Sequence, residues 1–115
     1  MVLYYKKRGG TMYIYTITTF EKFDDKYGYP SNSRCVGYYK TFKDADRIVR
    51  KNCGDIYEWF YNYVVIEKVG VGLYPVCMER WFYSVNYENE YYKNATFKPI
   101  DEPKSVKHII NFAIG

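Results

Sequence analysis

Leucine is almost missing from this chain of 115 residues, with only Leu3 and Leu73 present. The apolar content comes instead from Val, Ile and 16 Tyr, residues that suit a pleated, half-buried surface, so a sheet is expected rather than a helical bundle. A single histidine, His108, excludes His-dyad and multi-His chemistry. Cys35, Cys53 and Cys77 stand far apart, with no pair at the close spacing zinc sites use. An odd number of scattered cysteines fits free thiols in a reducing cytoplasm. No G-x-G-x-x-G or P-loop pattern occurs, and the lone G-x-G of "GVGLYP" is followed by no helix. No apolar run approaches the ~20 residues of a membrane helix. The basic cluster in "MVLYYKKRGG" leads into no apolar signal-peptide core. The balance of 17 basic and 13 acidic residues, net +4, falls short of the basic excess of a dedicated DNA binder. No membrane association, no sequence-specific DNA binding and no cofactor are expected.

A chain of this length holds one core. Residues 1–11 are expected to be a loose leader, or the product of a start upstream of Met12, and residues 12–115 a single domain. "MYIYTITTF" (12–20) is β-branched and aromatic on both alternating sets and reads as a strand. A turn-rich stretch (21–34) leads to a second short strand, "CVGYYK" (35–40), able to pair with the first. "TFKDADRIVRKNCG" is the helix. Thr41 caps it, with Asp44 as a weak capping box. Phe42, Ala45, Ile48, Val49 and Cys53 form one stripe and the charged residues the other. Asp46 and Arg50 make an i,i+4 pair, and Gly54 is the expected stop. "FYNYVVIEKV" (60–69) is a strong strand, with Phe60, Val64 and Ile66 toward the core and Tyr61, Tyr63 and Glu67 on a half-wet face. Residues 80–99 read as a hairpin turning near Glu88–Glu90, and 106–115 as a last strand or a helical turn plus strand. The expected fold is α+β: one mostly antiparallel sheet with a single amphipathic helix on one face, in the order β-β-α-β-β-β-β.

The chemistry-bearing residues are sparse. A Cys–His pair is outweighed by ordinary placement, since Cys53 falls on the apolar stripe and Cys35 opens a strand. Asp55 and Glu58 form a carboxylate pair suited to metal-assisted phosphodiester hydrolysis, but Asp55 equally suits capping of the turn after Gly54. The aromatic and basic residues say more. Tyr61, Tyr63, Trp81, Tyr83, Tyr91 and Tyr92 fall on expected strands, with Arg34, Arg47, Arg50 and Arg80 among them. Aromatic faces stack on bases and guanidinium forks hold phosphates. Tyr, Trp and Arg are equally the residues of protein–protein hot spots. Sixteen tyrosines are more than so small a domain can bury with partnered hydroxyls, so a face covered by a partner, a ligand or a second copy is expected.

The segments "MYIYTITTF", "GYYKTFKDADRIVRKN", "DIYEWFYNYVVIEKVGVGLYP" and the terminal "NFAIG" resemble a family of small phage, prophage and Firmicutes mobile-element proteins. The resemblance runs over residues 12–115. "EWF" stands where that family has a polar–Gly turn, so the turn at Glu58–Phe60 is expected to differ. The resemblance brings no catalytic motif. It implies a mobile-element accessory protein in the cytoplasm of a bacterial host, acting by occupancy. With no catalytic constellation in the chain, a non-enzymatic anti-defence protein is expected, and the tyrosine-rich face separately points to a homo-dimer or higher oligomer. The resemblance carries over no functional residues. On the aromatic-plus-basic reading, the most concrete form is a protein that sequesters a nucleotide-type immune signal, with Arg34, Arg47, Tyr61, Tyr63, Arg80 and Trp81 as the ligand-binding residues. The alternative is a protein–protein inhibitor of a host defence effector, anti-CRISPR-like in its action, and a small metal-dependent phosphodiesterase is a third.

Overall fold

In the computed structural model, residues 12–22, 30–73, 76–87 and 95–103 are described. The expected leader (1–11), His108, Tyr91, Tyr92, the hairpin turn and the terminal strand (106–115) lie outside the described residues.

Two antiparallel strands open the chain, β1 (Tyr13–Phe20) and β2 (Arg34–Tyr39). The helix α1 (Phe42–Arg50) follows, then β3 (Tyr63–Gly70), β4 (Cys77–Tyr87) and β5 (Ala95–Ile100). The sheet order is β2-β1-β3-β4-β5, and every neighbouring pair is antiparallel. β2 and β3 both run against β1, so they are parallel to each other. Parallel strands need a crossover rather than a tight turn, and α1 supplies it. The α+β class and the single helix agree with the sequence reading. The described strand order is β-β-α-β-β-β.

α1 forms where expected. Thr41 sits in an extended conformation and its hydroxyl accepts from the Asp44 N–H at 3.2 Å, satisfying one orphan donor of the first turn. The stop is a correction: the helix ends at Arg50, before Gly54. Asn52 takes the left-handed conformation, φ 50°. Its N–H donates to the Val49 carbonyl and the Cys53 N–H to the Ile48 carbonyl, both at 3.0 Å, the paired bonds of a Schellman cap. Asparagine tolerates this region well enough to do what Gly54 was expected to do.

The apolar side of α1, with Ala45 and Val49 fully buried, lies on one face of the sheet. Ile17, Val64, Ile66, Tyr83, Ala95 and Phe97 meet it there, and Ile56 and Tyr57 close the cluster from the segment after the helix. Each Val, Ile or Phe among them, fully buried, contributes about 1.5–3 kcal/mol by removal from water.

The opposite face was expected to be half-wet around Tyr61, Tyr63 and Glu67. Instead Phe20, Val65 and Phe82 form a second cluster, with Tyr63 and Ile100 packed on it. Glu67 and Val69 are fully buried beside them. The register shows why: Phe20 lies opposite Tyr63, Thr18 opposite Val65 and Val65 opposite Phe82, so one apolar stripe crosses three strands. Phe60 is the reverse case. It precedes β3, sits in a turn, and is 42% exposed rather than in the core.

Candidate functional site

Between α1 and β3 the chain turns through left-handed conformations at Asn52, Gly54, Asp55, Glu58 and Trp59. For residues with a Cβ this costs about 1–2 kcal/mol each, and tryptophan lacks the short carboxamide or carboxylate with which Asn and Asp hydrogen-bond locally in this region. Buried contacts and capping bonds hold the turn in place. Ile56 and Tyr57 are anchored in the core. The Tyr57 N–H donates to Asn52 Oδ1 at 2.8 Å, and the Glu58 N–H to Asp55 Oδ1 at 3.3 Å. The N–H groups of Phe60 and Tyr61 both reach the Tyr57 carbonyl, at 2.9 and 2.8 Å. The result is a braced turn that carries Trp59 outward, 64% exposed, with Phe60 next to it. Asp55 therefore caps a turn, as one of the two sequence readings had it.

The turn is tied to the edge of the described sheet. Glu58 lies 3.4 Å from Arg34, the first residue of the edge strand β2. β2 is mostly exposed, with Val36 and Tyr38 presenting apolar surface to solvent. A cleft of about 300 Å³ runs between β2 and the turn, lined by Ile17, Val36, Tyr39, Ile48 and Ile56 with Arg34, Asp55 and Glu58 at its polar positions.

A second cleft, about 280 Å³, sits where β5 ends and β4 continues without it. Trp81 packs at a tilt against Phe42 there, ring centroids 4.4 Å apart. Tyr83 donates to Asp46 Oδ1 at 2.6 Å, and Arg50 Nε bridges both Asp46 oxygens at 2.9 Å. Burial, then the hydrogen bond to Asp46 and the Asp46 charge, push the Tyr83 hydroxyl well above the ordinary tyrosine range, with Arg50 opposing. The Arg80 side chain is 11% exposed, its Nε is 3.9 Å from Glu102, and its Nη1 is buried with no hydrogen-bond partner among the described residues. Asp46, Asp101 and Glu102 against Arg50 and Arg80 leave this cleft slightly acidic.

Of the six expected ligand-binding residues, only Arg80 and Trp81 share a cleft. Arg34 belongs to the other cleft, beside the turn. Arg47 stands on the outer side of α1, 3.9 Å from Asp44. Tyr61 packs edge-on against Phe60, and Tyr63 stacks on Phe20 in the second core cluster. The expected convergence of arginine and aromatic side chains is thus split over separate places. Trp59 was missed, because "EWF" reads only as a turn. Tyr83 was read among the strand aromatics, but its partnership with Asp46 spans 37 positions and leaves no trace in local spacing.

Among the described residues no cluster of His, Cys, Asp and Glu could hold a metal ion, and no helix is long and apolar enough to cross a membrane. Compared with family models, curated proteins and solved structures, the chain matches none.

Proposed function

We propose that this chain is a non-enzymatic binding protein that acts by occupying a protein target, through the surface formed by the 52–60 turn and β2. One observation carries the reading: a tryptophan held in a left-handed conformation and exposed to solvent. Strain of this kind persists only where the surroundings impose it, and it clusters at binding and switch sites. Exposed Trp and Tyr beside an arginine is the composition of an interface hot spot. The carboxylates considered for catalysis are engaged structurally, Asp55 as a cap and Glu58 in the ion pair with Arg34. The resemblance to mobile-element proteins points to a host defence protein as the target, in the cytoplasm of a bacterial host.

The test is site-specific photo-crosslinking in host cells. A crosslinker at Tyr38 captures a defined protein, one at Lys98 on β5 does not, and Trp59→Gly abolishes the capture without loss of folded protein. Equal capture from both positions, or capture that survives Trp59→Gly, refutes the assignment of the surface.

A second reading places a small anionic aromatic ligand, such as a nucleotide-type signal, at Arg80 and Trp81. It is favoured by the buried Arg80 nitrogen, which has no hydrogen-bond partner among the described residues. A melting-temperature rise of several degrees with a cyclic oligonucleotide, lost in Arg80→Met, supports it; no shift with any nucleotide removes it.

A further inference from the structure

Gly37, in the middle of β2, is a glycine that the fold does not require. Its backbone is not left-handed, and a Cβ placed on it would meet no heavy atom within 4 Å. Glycine inside a strand weakens it and often marks a site where another backbone approaches closely. In the β1–β2 register Gly37 lies opposite Ile17, which faces α1, so the missing side chain leaves an opening on that side of the edge. The opening adjoins the apolar cleft that has Ile17, Val36 and Ile48 in its lining. Among the described residues, β2 is the strand at the end of the sheet beside β1, and no described strand lies on its outer side.

Charge decides what can occupy that edge. Arg34 begins β2 and exposed Lys40 follows it. Two copies paired antiparallel about Gly37 would bring the Arg34 end of each near Lys40 of the other, and like charges on facing strands destabilise the pairing. A second copy is therefore disfavoured, while a strand with an acidic residue at each end is complementary. The Arg34–Glu58 pair is exposed on both sides and weak, so an incoming carboxylate competes for Arg34 at little cost.

We propose that β2 accepts an extended segment of a partner protein as an added strand, with an apolar side chain over Gly37 and a carboxylate at each end, near Arg34 and near Lys40. Main-chain hydrogen bonds to the edge give the affinity, and the cleft beside Gly37 selects the side chain. The bulge next to Val36 shifts the register, so regular pairing covers Gly37–Tyr39 and the Arg34 end is engaged through its side chain. This rests on the binding reading above and names the chemistry of the segment that the same surface takes.

The experiment is selection of displayed random nonapeptides on the full chain, followed by amide hydrogen exchange of the complex. The expected winners alternate β-branched and polar residues between Asp or Glu. They slow exchange at β2, and they bind Gly37→Val at least tenfold more weakly although that variant melts no lower than the parent. Arg34→Glu combined with Lys40→Glu gives an independent readout, by shifting preference to peptides bracketed by Lys. The proposal is overturned by any of four results: no enrichment, slowed exchange away from β2, a preference that charge reversal leaves unmoved, or a peptide-free dimer whose β2 amides are already protected. A crosslinked target that leaves β2 exchange unchanged sinks strand addition and leaves the binding surface at Trp59 standing.

Discussion

Replacing Tyr83 with Phe removes one hydroxyl from the interface between α1 and the sheet and leaves the ring in place. The ring is buried, at 1% exposure, and its hydroxyl donates to a carboxylate at 2.6 Å. A hydrogen bond to a charged acceptor contributes about 1.5–3 kcal/mol. Asp46 is 21% exposed and keeps Arg50, so the lower end of that range, about 1.5 kcal/mol, is expected. For a domain of this size that lowers the melting temperature by roughly 6 °C. The same bond sets an alkaline limit. Below pH 10, the ordinary tyrosine value, the hydroxyl is neutral folded and unfolded, and its contribution is fully present. Above it the unfolded chain loses the proton while burial and Asp46 hold it in the folded chain. Stability therefore falls as pH rises, by about 1.4 kcal/mol per unit from this group. Urea titrations of the parent, Tyr83→Phe, Asp46→Ala and the double variant, at pH 7 and 10.5, measure both effects. The cycle should return a coupling near 1 kcal/mol or more at pH 7, and Tyr83→Phe should lose less stability than the parent on going to pH 10.5. Additivity within about 0.4 kcal/mol, or equal alkaline losses, refutes the account.

Thr18→Val is expected to stabilise by about 1 kcal/mol in the same titration, because the Thr18 hydroxyl is fully buried with no hydrogen-bond partner among the described residues and Val has the same shape. Thr41→Ala removes the cap on Asp44 N–H and should cost about 1 kcal/mol, seen as a lower urea midpoint. Trp59→Gly relieves a left-handed tryptophan and should leave the melting temperature equal or higher, while target capture is lost. A clear fall in melting temperature would show that Trp59 is there for folding rather than for contact.

Much of the architecture is local and was therefore readable. Thr41 and the Ala45–Val49 stripe mark the helix by capping and period, and the Val64–Ile66 alternation marks the inward face of β3, without knowledge of any distant residue. Antiparallel pairing of residues 12–20 with 35–40 follows from two strands joined by a turn-rich stretch. The candidate site was only partly readable. Arg34, Arg80 and Trp81 do line clefts, but Arg47 faces outward from the helix and Tyr63 stacks on Phe20. Residue type marked all of them alike, and only position separates them.

What the sequence determined by itself is what one segment can satisfy alone: the α+β class, the helix and its N-cap, the Asp46–Arg50 pair and the alternation within strands. What the tertiary structure decided is everything that depends on which strand lies beside which. Among the described strands, the order β2-β1-β3-β4-β5 leaves β2 and Gly37 at the edge, buries Glu67 and Val65 on the face expected to be wet, and brings Tyr83 to Asp46. The turn at Trp59 belongs to the same group. Its left-handed backbone is unfavourable locally, and the anchoring of Ile56 and Tyr57 in a core assembled from distant strands holds it there.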